Sequence, residues 1–301
     1  MSIKTKMDEN YEPDLFDLYT RTIPSRGIVP DRLFHYTSIE NVKKIIDEND
    51  IRFRFSSLKN QEDKNEGKSF YKYYVEALMD LLDHGILSKS EVDNISELVD
   101  DKQYFFYEEK GIYKPFSTEN YDVLIICFTS ERYSGKMIEN YIKNPDHKGA
   151  ILEFDSEEFF WPSDSFFFKG HYIDIRPVLY GKDAVIQICE IVKTFKDIFI
   201  NLNSGVFDKK GRKYLGSKLS KIKYYYKDED YRPEKEYRIM LPIPLEYSLS
   251  DTNTHLITKY YISLRRAFRD VKLINLDEQE KEEIEKYLID NQVIISSWTS
   301  A

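Results

Sequence analysis

The run Val123-Leu124-Ile125-Ile126-Cys127-Phe128 is apolar at every position. A strand with one face in water alternates apolar and polar residues, and this one does not. The strand predicted over Tyr121–Ser130 therefore has to be an interior one, covered on both faces. Strands at Leu33–Tyr36, Ile51–Phe55, Ala150–Phe154, Tyr172–Leu179, Tyr224–Tyr226, Glu236–Leu241, Tyr260–Leu264, Val271–Leu276 and Val293–Ser297 are predicted to accompany it. Helical spacing of apolar residues places helices from Ile39 to Ile46, Phe70 to Leu82, Ala184 to Phe199 and Asp277 to Asp290, with further starts at Ser88 and near Met137. Residues 101–120 read as irregular, and 203–218 as a Gly- and Lys-rich loop. Strands and helices do not alternate regularly, so the pattern favours an α+β fold over a doubly wound parallel sheet.

The chain has 301 residues, 41 % of them hydrophobic, with 24 Tyr and 19 Phe supplying large rings for a core. Residues 1–30 read as an N-terminal extension and 31–301 as one α+β domain. A formal charge of −9 does not point to nucleic acid. The clusters Lys209-Lys210-Gly211-Arg212-Lys213 and Lys218–Lys223 are the segments that could touch phosphate. Cys127 and Cys189 make no disulfide framework, and no Cys/His spacing suits a metal, so none is predicted. With no signal-like start and no apolar stretch of about eighteen residues, a cytoplasmic protein without a membrane anchor is expected.

Three constellations could carry chemistry. His35 and Tyr36 stand where a strand runs into a helix N-terminus, with Thr37-Ser38-Ile39-Glu40 as a capping box. A histidine there can hold a ribose or phosphate, or simply satisfy a backbone carbonyl. Thr129 and Ser130 leave the buried strand, where hydroxyls can position a ligand or cap a helix. Glu234 and Glu236, in an extended row with Arg232 and Arg238, can hold sugar hydroxyls and stabilise an oxocarbenium-like cation. The same row can also be a solvated charge ladder.

In order along the chain, Leu33-Phe34-His35-Tyr36-Thr37-Ser38, the Asn60–Glu66 loop, Cys127-Phe128-Thr129, the Met137–Tyr141 helix, Lys148-Gly149 leading to Glu153-Phe154-Asp155, and Glu234-Lys235-Glu236-Tyr237-Arg238 resemble a bacterial family. It is domain-of-unknown-function family twenty-nine seventy-one, and the resemblance runs from about Asp31 to the C-terminus. Ile138 departs from it, standing where the family often has Trp, and so does the more polar loop ending at Glu66. That family in turn resembles the ADP-ribosyltransferases, and the resemblance implies a split β-sandwich with peripheral helices that grips NAD. By motif, His35 would hold a ribose, Glu236 would be the catalytic glutamate and Glu234 would orient an acceptor. Tyr36 or Tyr141 would stack on nicotinamide, and Thr37, Thr129, Ser130 and Arg238 would line the dinucleotide. The implied activity is nicotinamide release through a cationic sugar transition state, in bacterial toxin or phage-defence biology, with a protein, nucleic acid or water as acceptor. Glu236→Gln would then abolish nicotinamide release and leave the melt nearly unchanged. The rival readings are a non-catalytic nucleotide-binding sensor or interaction module, and a nucleic-acid-acting defence protein. The transferase reading requires His35 and Glu236 to border one cleft.

Overall fold

The computed structural model describes residues 29–47, 50–58, 68–98, 104–109, 112–117, 121–160, 175–201, 215–216, 219, 222–244 and 261–293. β1 (Arg32–Ser38) runs straight into α1 (Ile39–Ile45). The helix cap is Ser38, whose hydroxyl accepts from the Asn41 amide. The predicted capping box at Thr37 is thus one residue early: Thr37 remains in the strand and is buried. β2 (Ile46–Asp47) and β3 (Asp50–Arg54) form a short antiparallel hairpin, and β4 (Ser56–Ser57) follows.

α2 (Lys68–Asp83) buries Phe70, Tyr74, Ala77, Leu78 and Leu81 and stops before Gly85, whose φ of +67° favours glycine. α3 (Lys89–Ser96) starts with the capping box that Ser88 and Glu91 predict. The stretch expected to be irregular holds an antiparallel hairpin, β5 (Tyr104–Glu109) with β6 (Ile112–Ser117). The aromatic run Tyr104-Phe105-Phe106-Tyr107, followed by Gly111, is a strand-and-turn signal that this expectation overlooked.

The interior strand is β7 (Tyr121–Thr129). After it come α4 (Gly135–Tyr141), β8 (Gly149–Asp155), β9 (Ile175–Pro177), β10 (Leu179–Tyr180) and α5 (Gly181–Asn201). The Tyr224–Tyr226 segment, expected to be a strand, is a 3-10 turn over Lys223–Tyr225 leading into β11 (Tyr226–Lys227). β12 (Glu236–Pro244), β13 (Tyr261–Ser263), β14 (Phe268–Ile274) and α6 (Glu278–Asp290) complete the chain, with Asp277 capping α6. The Asn60–Glu66 loop, the predicted Val293–Ser297 strand beyond Val293, the Lys209–Lys213 cluster and residues 1–28 lie outside the described residues.

The large sheet has the order β14-β8-β1-β7-β12-β9, and every neighbouring pair is antiparallel. A three-stranded sheet, β13-β3-β2, packs on one of its faces. Leu33, Leu124, Ile126, Phe128, Leu152, Phe154 and Ile239 meet Ile51, Phe53 and Ile262 there, closed by Val42 and Ile284 from α1 and α6. On the other face Phe34, Tyr36 and Ile151 pack under Met137 and Ile138 of α4. A separate helical core joins α2, α3 and α5 through residues such as Tyr74, Leu78, Val92, Ile188 and Phe195. The fold is therefore α+β, with layered antiparallel sheets and helices at their margins. Among the described residues no helix is long and apolar enough to cross a membrane.

Candidate functional site

The sheet register decides which side chains can meet. In antiparallel neighbours, directly opposed residues point to the same face. Phe34 of β1 opposes Thr129 of β7, and Thr129 opposes Glu236 of β12. Phe34, Thr129 and Glu236 therefore share one face, with Cys127 and Arg238, which are also opposed. His35, Phe128 and Tyr237 point to the other.

The His35 ring confirms this parity. It packs edge-on against Phe53, with centroids 4.8 Å apart, and against Phe128 at 5.9 Å, on the side of the small sheet. Its Nδ1 lies 2.9 Å from the Cys127 carbonyl oxygen. A carbonyl oxygen only accepts, so Nδ1 carries the proton. β1 pairs with β7 at Phe34↔Thr129, and β4 pairs with it at Ser56↔Ile125 and Ser57↔Leu124. Cys127 lies between those two stretches, and the imidazole occupies its carbonyl. Burial lowers the His35 pKa against the opposing effect of the Cys127 carbonyl, which keeps the ring neutral. The expectation that His35 and Glu236 border one cleft is corrected by this parity: the sheet stands between their side chains.

The two glutamates do converge, though not as an extended row. Glu229–Glu234 is a 3-10 turn, and Lys235 is left-handed, with φ 41°. This turn aims both carboxylates at Lys227, whose Nζ is 2.9 Å from Glu234 Oε2 and 2.8 Å from Glu236 Oε2. Arg238 completes the cluster. Its Nε donates to Glu236 Oε1 at 2.6 Å, its Nη2 to Oε2 at 3.0 Å, and its Nη1 to the Tyr224 carbonyl. All four charged residues are buried: Lys227 is 7 % exposed, Glu234 5 %, Glu236 4 % and Arg238 1 %. Arg232, expected in the same row, turns away to Glu229, Asp183 and the Tyr180 carbonyl.

Burial alone would raise the Glu236 pKa; Arg238 and Lys227 overcome it and hold the carboxyl down to about 2. The same charge acts on its neighbours. The Cys127 thiol and the Tyr141 and Tyr180 phenols are pushed up, first by burial and then by Glu236. Tyr180 Oη accepts from the Glu236 amide at 3.1 Å, and the Lys227 ammonium lies 5.0 Å from the Tyr231 ring centre. Cys127 is partly exposed and Tyr141 is 37 % exposed.

The remaining predicted residues have structural tasks. Tyr36 is buried, and its hydroxyl donates to the Glu131 carbonyl and accepts from the Ser134 amide, so it cannot stack on a ligand. Thr37 is buried in β1. Thr129 Oγ1 donates to the Glu234 carbonyl at 2.7 Å and accepts from the Glu131 amide at 3.0 Å, which braces the turn carrying both glutamates. The Ser130 amide donates to the Lys235 carbonyl at 3.2 Å. Tyr141 is partly exposed and lies in the field of Glu236. Arg238 belongs to the cluster itself. The sequence reading missed Lys227, Tyr180 and Tyr231. Lys227 ends a Tyr-Tyr-Tyr-Lys stretch with no motif, and only the three-dimensional turn reveals its role.

Among the described residues no group of three or more His, Cys, Asp and Glu side chains could hold a metal ion. No family model, no curated protein and no solved structure matches this chain.

Proposed function

We propose that the protein binds a nucleotide, with a dinucleotide such as NAD as the leading ligand, at the Lys227–Glu234–Glu236–Arg238 cluster, and that it acts by binding rather than by glycosyl transfer. One observation carries this reading. Two carboxylates, an ammonium and a guanidinium are held within hydrogen-bond distance of one another, nearly out of water, near the partly exposed Tyr141. Burying four charges is expensive, and an apolar replacement is often as stable, so their retention needs a reason beyond stability. The groups suit a nucleotide. Carboxylates accept from ribose hydroxyls, cations meet phosphate, and a tyrosine ring stacks on a base.

The transferase reading asks for more. It needs a ribose-holding residue on the first strand, facing the acid, and a carboxylate free to meet the sugar cation. His35 faces away, and both Glu236 oxygens are engaged by internal cations. The test is to titrate the full chain with NAD calorimetrically while following free nicotinamide by chromatography. The expected outcome is saturable binding with no nicotinamide release. Release that disappears in Glu236→Gln would reinstate the transferase. No binding would reduce the cluster to a structural ion network.

A further inference from the structure

We propose that Glu236 is an internal competitor for a ligand phosphate, and that Lys227 and Arg238 are the cations that receive the phosphate once the Glu236 carboxylate moves aside. This rests on the nucleotide-binding reading of the same site and assigns its phosphate subsite and its regulation.

The donor set around Glu236 is the argument. One carboxylate takes a two-pronged guanidinium contact from Arg238, at 2.6 and 3.0 Å, and an ammonium at 2.8 Å. A planar guanidinium fork with an adjacent lysine is a donor geometry that fits phosphate oxygens as well as it fits a carboxylate. Glu236 therefore occupies the place that a phosphate's oxygens would take.

Each cation has a further anchor besides Glu236. Arg238 Nη1 is tied to the Tyr224 carbonyl. Lys227 Nζ is held by Glu234 at 2.9 Å and lies over the Tyr231 ring. The Glu236 backbone is fixed independently, since its amide donates to Tyr180 Oη and its strand is paired with β7. The movement proposed is therefore one of the Glu236 side chain about its own torsions, with its backbone held in place. Cys127 and Tyr141, the neighbours of Glu236 that keep some exposure, are where the anion is proposed to enter.

The experiment is calorimetric titration of full-length wild type, Glu236→Gln and Arg238→Gln, at low salt, with inorganic pyrophosphate and separately with NAD. Removing the competing charge should tighten pyrophosphate binding in Glu236→Gln by about tenfold or more, whereas Arg238→Gln should lose it. If Glu236→Gln proves poorly folded, Glu236→Asp serves instead. Its carboxylate is one methylene shorter and cannot span both cations, so affinity should again rise. Equal or weaker pyrophosphate binding by a folded Glu236 variant overturns the proposal. NAD bound by wild type without any gain in Glu236→Gln overturns it too, but leaves the nucleotide reading standing. NAD bound by no variant removes that reading instead, even if the pyrophosphate gain is present.

Discussion

Glu236→Gln tests the buried cluster most directly, because it removes a charge and almost no volume. In the folded protein Arg238 and Lys227 hold the Glu236 carboxyl at about 2, against an ordinary value of 4.5. At about 1.36 kcal/mol per pH unit, that difference corresponds to about 3 kcal/mol of stability at neutral pH. The glutamine carbonyl can still accept from Arg238, but the variant leaves Glu234 as the only carboxylate against two buried cations. At about 2.1 cal/mol/K of unfolding entropy per residue, about 3 kcal/mol lowers the melting temperature of a 301-residue chain by roughly 5 °C. The pH dependence has a definite sign. Folding lowers this pKa, so the contribution is fully present above about pH 4.5 and is lost as the pH falls from there towards about 2. Differential scanning calorimetry of both proteins should therefore show a gap that is widest above about pH 5 and closes towards pH 2. Melts that coincide within about 1 °C at pH 7 would refute the reasoning, because they would mean that solvent, not Arg238 and Lys227, stabilises the carboxylate. The outcome also separates two accounts of the residue, since a free catalytic acid predicts an unchanged melt.

Three other perturbations follow from the same contacts. Thr129→Val keeps the shape of a side chain that is 1 % exposed but removes both of its hydrogen bonds. Chemical denaturation should show a loss of about 1–3 kcal/mol, and an unchanged midpoint would mean that the hydroxyl does not brace the glutamate turn. His35 has a folded pKa lowered by burial, so folding favours the neutral ring, and stability should decline as the pH drops below about 6.5. His35→Gln should flatten that limb of the stability-versus-pH curve, and an identical slope in the variant would place the titration elsewhere. Gly149 opens β8 where a Cβ would press into the Thr37 carbonyl and lie 2.7 Å from two Ile142 methyl carbons. Gly149→Ala should lower stability by about 1–3 kcal/mol in a thermal melt, and a neutral result would show that β1 and β8 can part without cost.

Elements whose signals are local were legible in the chain. The unbroken apolar run is the interior strand, Ser88 and Asp277 cap helices, and Gly85 ends one. The Tyr104–Tyr107 strand carried its signal too, in aromatic residues that favour pleated structure. Lys227 carried none. It reaches Glu234 and Glu236 because Lys235 adopts a left-handed conformation, which a lysine rarely does and no residue pattern announces. The pairing of Glu234 with Glu236 was anticipated, but for a different reason. Strand alternation would align them, whereas here a 3-10 turn and one left-handed residue bring them together.

Register explains why the anticipated cleft between His35 and Glu236 does not form. Phe34, Thr129 and Glu236 oppose one another across three strands, so alternation along β1 places Phe34 and Tyr36 on the acid's face and His35 on the other. Moving His35 to the acid's face would require a one-residue slip of β1. That slip would lift Leu33 out of the main core and drive Phe34 into it, undoing the packing beneath α4. The seven paired positions between β1 and β8 oppose any such shift. The sheet's two faces are thus committed by the same hydrophobic pattern that makes β1 a strand. The histidine that most resembles a site residue therefore belongs to the core, and the proposed site draws only on the elements of the acid's own face.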